Sequence, residues 1–224
     1  GKIFHNFRQK IEGDPVSWSV PAQLHFAAHA TDVAQIDGGE SPPNTAKARG
    51  TEAREVPDEA YFDGRVAAAA IKALQECRAR SEPFFLAVGL TKPHLPFVAP
   101  KKYWDLYQRN DFTMPSNKGI PPGYPVYAAN PRAMEMQRYS DYERGGPKDF
   151  SDETNRRLLH GYAAATSYAD ACVGRILDAL DKNGLAENTV VALWGDHGWK
   201  LGDHSSWCKH TNFEQATRIP LMIK

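Results

Sequence analysis

Residues 190–210 decide the fold, and they read VVALWGDHGWKLGDHSSWCKH, with Gly195 ending the apolar run and Asp196-His197 following directly. After the glycine come two acids, three histidines and two lysines. This part has too little apolar content to be protein core. The order is typical of a buried strand that ends in an active-site loop.

The segments before and after this stretch alternate between helix and strand patterns. Apolar residues recur at steps of three and four over 58–80 and 153–183, which predicts two amphipathic helices. Continuous apolar runs over 84–90, 189–194 and 218–223 have the composition of buried strands. This alternation predicts an α/β fold in which helices cover both faces of a sheet.

Two polar clusters follow the ends of the first two predicted strands. Residues 92–94 (Lys-Pro-His) come after the first strand, and residues 196–197 (Asp-His) come after the second. Chemistry in such sheets gathers at the carboxyl ends of strands, so the two clusters converge if the strands are neighbours. Prolines at positions 93 and 96 predict an extended segment in which side chains 92 and 94 project to the same side.

Composition excludes several classes of function. The 224 residues contain 27 Lys and Arg and 27 Asp and Glu, so no global field attracts nucleic acid or an anionic membrane. Three widely spaced cysteines give neither a disulfide scaffold nor a Cys-x-x-Cys metal site. No apolar run approaches the roughly 20 residues of a membrane helix, and no signal-peptide core follows Gly1.

Asp196 and His197 form the strongest candidate metal site. A carboxylate suits a hard cation such as calcium, whereas imidazole is more natural on zinc, so the pair indicates a metal without naming it. The alternative is that Asp196 caps a turn and His197 bonds to the backbone. Lys209 adds a compact positive charge, and cations beside a metal indicate an anionic substrate or transition state.

The other polar residues of the same stretch carry weaker signals. Lys200 and His210 are interpreted as solvated loop residues, and His204 stays undecided. Cys208 stands beside two cations that would lower its pKa, yet its loop has no oxyanion-hole signature, so it is disfavoured as a nucleophile. The chain also has no Gly-x-Ser-x-Gly elbow, Walker loop or His-Glu-x-x-His helix.

Four ordered blocks resemble the sulfatase family, and most closely its iduronate-2-sulfatase-like branch. The first begins Gly1-Lys2-Ile3-Phe4-His5, and the second joins the apolar run at 84–90 to Lys92-Pro93-His94-x-Pro96-Phe97. The third is Tyr162-x-Ala164-x-x-Ser167-Tyr168-x-Asp170. The fourth is Trp194-Gly195-Asp196-His197-Gly198-Trp199-x-Leu201-Gly202-Asp203-His204 with Trp207-x-Lys209.

The resemblance implies an alkaline-phosphatase-like fold, a mixed sheet sandwiched by helices, and hydrolysis of a sulfate ester on a sulfated sugar. In this family a formylglycine made from a cysteine or serine attacks sulfur, and a calcium ion assists. By motif position Asp196 and His197 are metal ligands, and the catalytic residues that bind sulfate and transfer protons are Lys2, His5, His94 and Lys209. Lys92 and His204 lie in the same loops and are candidate substrate-binding residues.

The chain departs from the family pattern in two respects. It contains no Cys-x-Pro-x-Arg or Ser-x-Pro-x-Arg, and the paired acids that complete the family's calcium site are absent too. We therefore expect residues 1–224 to be a partial catalytic domain, incomplete at both ends. It would lack the nucleophile segment and the C-terminal subdomain, and would be inactive alone.

Two other functions are compatible with these residues. One is a phosphomonoester or phosphonate hydrolase of the same superfamily, and the other is a non-catalytic protein that binds sulfated glycans. The family resemblance places the protein outside the cell, in the periplasm or in the lysosome, and its expected partner is a sulfated carbohydrate.

Overall fold

The computed structural model describes residues 1–3, 15–24, 34, 49–125, 133–143 and 146–224. Its α-helices are α1 (Phe62–Arg80), α2 (Lys101–Trp104), α3 (Asp152–Lys182) and α4 (Glu214–Thr217). Its strands are β1 (Thr51–Arg54), β2 (Phe97–Pro100), β3 (Ala192–Trp194), β4 (Lys200–Leu201), β5 (Trp207–Cys208) and β6 (Leu221–Ile223).

The described strands pair two by two. β1 and β2 are parallel, whereas β3 with β6 and β4 with β5 are antiparallel. Helices and strands alternate along the chain, so the predicted α/β class is confirmed. None of the helices in the described part of the chain is both long and apolar enough to cross a membrane.

Helix α3 matches the prediction for 153–183 to within one residue at each end. Ser151 caps its start, because the Ser151 hydroxyl accepts the Thr154 N–H at 3.1 Å. Gly184 ends it with a φ of 66°, and its N–H donates to the Asp181 carbonyl while the Leu185 N–H donates to the Leu180 carbonyl. This pair of bonds is the Schellman arrangement that a glycine after the last turn predicts.

Helix α1 begins later than predicted. The pattern indicated a helix from 58, but Asp58–Ala60 forms a separate 3-10 turn and Tyr61 is extended before α1 starts at Phe62. The extended backbone buries the Tyr61 side chain completely, in edge contact with Tyr168 on α3. Burial of a large aromatic ring therefore interrupts the helical pattern.

One of the hydrophobic clusters of the described residues lies where α1 packs against α3. The Tyr168 hydroxyl accepts the Gly64 N–H at 2.6 Å and donates to the Asp58 carbonyl at 2.8 Å. A Cβ at Gly64 would lie 2.0 Å from the Asp58 carbonyl oxygen, so only glycine fits at this contact. The buried hydrophobic side chains around it are Tyr61, Ala67, Val98, Ala99, Tyr103, Trp104, Ala164, Tyr168 and Cys172.

The predicted buried strands are the part of the fold that the structure corrects. Residues 84–90 form no strand, and Phe85 is 83% exposed. β3 and β6 do form within the other two runs, but Trp194 is 64% and Met222 58% exposed. An apolar run shows that a segment suits burial, yet burial needs a covering element. In β3 only Leu193 is half-buried, and all of β6 is exposed.

A buried carboxylate joins α1 to the loop that follows 84–90. Asp63 is fully buried, and its two oxygens accept the Thr91 N–H at 2.9 and 3.0 Å and the Lys92 N–H at 2.8 Å. The Thr91 hydroxyl donates to the same carboxylate at 2.9 Å. The loop therefore starts at a position that the helix fixes.

Substitution Asp63→Ala is expected to lower the free energy of unfolding by about 3 kcal/mol, because it leaves two buried N–H groups without acceptors. Asp63→Asn keeps one carbonyl oxygen and should cost about half as much. Urea titration of the chain measures both values. The matched control is Asp178→Ala, whose carboxylate on α3 is 70% exposed and should change stability by less than about 0.5 kcal/mol. Equal effects of Asp63→Ala and Asp178→Ala would contradict the role of Asp63.

Candidate active site

The two polar clusters predicted from the sequence lie together. The His94 and His197 ring centroids are 5.8 Å apart, and both rings pack against Trp199, at 4.9 Å from His94 and 6.0 Å from His197. The expected convergence is therefore seen, although no strand forms over 84–90. The two loops are held together by the Asp63 contacts and the aromatic packing, and not by hydrogen bonds between paired strands.

The loop that carries His94 is a turn, so the predicted extended conformation is wrong. The His94 N–H donates to the Thr91 carbonyl at 3.0 Å, and the peptide bonds before Pro93 and Pro96 are both cis. Lys92 is buried within this turn, and its ammonium donates to the Pro96 carbonyl at 3.1 Å. Positions 92 and 94 thus belong to a compact turn, in which Lys92 is 6% and His94 7% exposed.

Lys209, His94 and Glu135 form the centre of the site. The Lys209 ammonium lies 2.5 Å from His94 Nε2 and 2.9 and 3.0 Å from the two oxygens of Glu135. His94 Nε2 is also 3.1 Å from Glu135 Oε2. His210 touches the same carboxylate from a more exposed position. A single carboxylate therefore contacts three basic side chains.

Burial controls the protonation of this cluster. It lowers the pKa of His94 to about 4, against the opposing effect of the hydrogen bond to Glu135. Burial also lowers the pKa of Lys209, and again Glu135 opposes the shift. Burial alone would raise the pKa of Glu135, but hydrogen bonding and charge from His94 and Lys209 hold it well below its usual range. At neutral pH the cluster thus contains a carboxylate and a neutral imidazole.

The position of the proton on His94 follows from its contacts. Nδ1 lies 2.8 Å from the Leu95 carbonyl, which only accepts, so Nδ1 carries the hydrogen. Nε2 of the neutral ring is therefore an acceptor, and it faces the Lys209 ammonium. The contact between Nε2 and Glu135 becomes a hydrogen bond only when His94 gains a second proton.

Asp196 and His197 lie beside this cluster. The Asp196 side chain is 63% exposed, and its carboxylate pairs with the Lys2 ammonium at 3.1 Å. Although burial would raise the pKa of Asp196, the Lys2 charge and the neighbouring His197 lower it. His197 Nδ1 lies 2.8 Å from the Gly198 carbonyl, so the backbone bond that was the alternative for His197 does form. The same bond leaves Nε2 as the nitrogen able to bind a cation.

Comparison with known proteins decides the family. The sulfatase family model matches residues 22–224. This chain is 34% identical to iduronate 2-sulfatase of Mus musculus, covering 100% of the chain and 41% of that protein.

The chain belongs to the sulfatase family.

A second sulfatase and one solved hydrolase structure are also similar to this chain. Choline-sulfatase of Rhizobium meliloti is 29% identical over 91% of this chain and 42% of that protein. The phosphonate monoester hydrolase of Agrobacterium radiobacter superposes with a TM-score of 0.67 at 21% identity, over 81% of this chain and 36% of that one. The latter likeness shows the fold alone, which is the α/β fold of alkaline-phosphatase-like hydrolases. The chain spans less than half the length of each of these relatives.

The described residues do not make a calcium site by themselves. Calcium takes about six to eight oxygen ligands. Asp196 offers an exposed carboxylate, but in the described ranges no three His, Cys, Asp or Glu side chains are grouped to hold a metal. Asp196 and His197 are thus at most one side of the expected site.

Among the other expected site residues, His204 is not part of the cluster. His5 lies outside the described residues. His204 has a φ of 52°, its ring stacks on Phe213 at 5.2 Å, and its Nδ1 lies 3.2 Å from the Gly119 carbonyl. These contacts tie His204 to the loop at 117–119 and not to His94 or Lys209.

For Lys200, His210 and Glu135 the structure differs from the sequence interpretation, whereas for Cys208 it agrees. Lys200 is not solvated: it is 1% exposed, and its ammonium lies 5.6 Å from the centre of the Phe213 ring. His210 is more than half exposed but contacts Glu135. Cys208 is fully buried and burial raises its pKa, so it remains a poor nucleophile as expected. Glu135 itself was missed, because one acid between two methionines in a long loop carries no recognisable signal.

Lys200 generates a prediction about stability and pH. Burial lowers its pKa in the folded chain to about 8 from 10.5, so between these pH values the unfolded chain binds more protons. The free energy of unfolding should therefore rise with pH in this window, by up to about 3 kcal/mol. Lys200→Met should remove the rise and stabilise the chain at pH 7 by a similar amount.

Urea titrations between pH 7 and pH 10.5 measure both effects, with the exposed Lys72→Met on α1 as the matched control. Since other groups also titrate in this range, the relevant quantity is the difference in free energy of unfolding between Lys200→Met and the unsubstituted chain. If this difference does not change with pH, the assignment to Lys200 is contradicted.

Proposed function

We propose that this chain is the central part of a sulfatase catalytic domain that hydrolyses sulfate esters of sugars. The observation that carries the proposal is the meeting of Lys209 and His94 beside Asp196, which itself pairs with Lys2. Basic side chains around one partly exposed acid suit an anionic ester near a cation. The segment that supplies the nucleophile would precede Gly1, and a further subdomain would follow Lys224.

Lys209 is proposed to stabilise the oxygen of the leaving alcohol. Its positive charge matters most as that oxygen becomes negative, so its contribution grows from the ground state to the transition state. Lys2 is proposed to bind a sulfate oxygen, as is His5. Formylglycine would supply the attacking hydroxyl, and no residue of this chain takes that role.

His94 is proposed as the general acid. The neutral ring must gain a proton at Nε2 before it can act as an acid. The Lys209 ammonium, 2.5 Å from Nε2, keeps its own proton, so that its charge stabilises the leaving oxygen. The Glu135 contact at 3.1 Å stabilises the doubly protonated ring while it exists.

A sulfated sugar is the proposed substrate, of the uronate-2-sulfate type or a unit of a sulfated polysaccharide. The support is the similarity to iduronate 2-sulfatase, together with a fold match to a protein solved with its substrate D-glucosamine-2-N,6-O-disulfate (TM-score 0.57, 19% identity). Calcium is the proposed metal, with Asp196 and His197 as ligands from this chain. A secreted, periplasmic or lysosomal location is proposed on the same family grounds.

A phosphonate or phosphate ester hydrolase is the second candidate. A multifunctional alkaline phosphatase superfamily protein of Trinickia caryophylli is 28% identical to this chain. The match covers the whole of this chain and 44% of that protein. Both ester types place an anionic tetrahedral group among cations, so the described residues suit either.

Matched esters separate these two functions. In the longer protein that contains this chain, we expect kcat/KM for a sulfated uronate disaccharide to exceed that for the corresponding phosphate ester by about 100-fold or more. Steady-state kinetics on both esters measures the ratio. A ratio below one would favour the second candidate, and turnover of neither ester would favour the glycan-binding alternative.

Lys209→Ala tests the proposed role of Lys209. In the same longer protein we expect kcat to fall by about 10²- to 10³-fold while KM changes by less than about fivefold. Lys182→Ala is the control, because this lysine at the end of α3 is 78% exposed and should leave both constants unchanged. Equal losses of kcat and of affinity for a non-hydrolysable sulfonate analogue would contradict a role specific to the transition state.

A further inference from the structure

Glu135 is an acid at the point where an anionic substrate is expected. Its carboxylate is 14% exposed and contacts the Lys209 ammonium with both oxygens. It also lies 3.1 Å from His94 Nε2, and His210 contacts it from the outer side. The two side chains proposed to meet the sulfate ester thus already hold an anion that belongs to the protein.

The donors of Lys209 are fully used by these contacts. An ammonium group has three N–H donors. In the structure they face Glu135 Oε1, Glu135 Oε2 and His94 Nε2, at 2.9, 3.0 and 2.5 Å. His94 is engaged at both nitrogens, through Leu95 on one side and Lys209 on the other. A sulfate group therefore gains hydrogen bonds from this pair only if Glu135 moves away.

We propose that Glu135 is a specificity-determining residue that occupies the sulfate position between Lys209 and His94 and must be displaced by the substrate. The proposal rests on the proposed function, because it assumes that these two residues bind sulfate. Both oxygens of Glu135 contact Lys209, and a partly buried ion pair is screened by salt less than an exposed one. An anion that brings no other contacts competes poorly with it.

The consequence is discrimination between the ester and free sulfate. Inorganic sulfate, the product of the proposed reaction, competes with Glu135 for Lys209 and His94 only through its charge and its oxygens. A sulfated sugar adds contacts through its ring, and this extra binding free energy can displace the carboxylate. Glu135 would therefore weaken product binding more than it weakens substrate binding.

Binding of inorganic sulfate to this chain tests the proposal without any need for turnover. Titration calorimetry with sodium sulfate at constant ionic strength should show that Glu135→Gln binds about tenfold more tightly than the unsubstituted chain. Glu76→Gln, an exposed acid on α1, removes the same charge and should leave sulfate affinity unchanged. A gain of affinity is informative because structural damage would cause a loss.

A variant with a shorter acid keeps the proposal testable if Glu135→Gln does not fold. Glu135→Asp keeps the charge but retracts the carboxylate by about one C–C bond length, roughly 1.5 Å, so it no longer reaches both Lys209 and His94. We expect its sulfate affinity to lie between that of the unsubstituted chain and that of Glu135→Gln. Thermal unfolding of each variant shows which of them is folded.

The outcomes separate this proposal from the proposed function. If Glu135→Gln binds sulfate no more tightly than the unsubstituted chain, the proposal is overturned. The function proposed for Lys209 still stands in that case if Lys209→Ala lowers kcat as described above. If Glu135→Gln gains sulfate affinity and the double variant with Lys209→Ala keeps it, the sulfate lies elsewhere, and both assignments fail.

Discussion

The buried carboxylate of Asp63 is the interaction on which the rest of the site depends. It accepts three hydrogen bonds from Thr91 and Lys92, at the start of the turn that carries His94. A carboxyl group with no exposure is tolerated only when its oxygens are hydrogen-bonded, so the turn and the helix stabilise each other. Since α1 packs on α3, the two longest helices of the described residues position the proposed general acid.

The buried basic side chains of the site also need a partner. Lys209 and His94 are both largely buried, and each has a lowered pKa for that reason. Glu135 provides the only carboxylate that they share among the described residues, and it keeps the pair from being an uncompensated buried charge. The same contact explains why a carboxylate stands where an anionic substrate is proposed to bind. Glu135 would then stabilise the site when no substrate is bound and lower its affinity for sulfate.

Prediction from sequence succeeded where the signal was local. The 3.6-residue period and the glycine after the last turn defined α3 to within one residue, because helix hydrogen bonds and caps join neighbours in the chain. The family motifs predict a site at Asp196, His94 and Lys209, and the structure brings these three residues into one region. The strand predictions were less successful, because whether an apolar run is buried depends on which element covers it.

The sequence by itself determined the α/β class, the long helix, the sulfatase family and the set of basic residues available for an anionic ester. Only the tertiary structure decided that Lys92 and Lys200 are buried, that His204 contacts the loop at 117–119, and that Glu135 joins Lys209 to His94. These are contacts between residues far apart in the chain: 74 positions separate Lys209 from Glu135. Local periodicity and motif spacing carry no information about such contacts, because chain packing alone sets the distance between distant side chains.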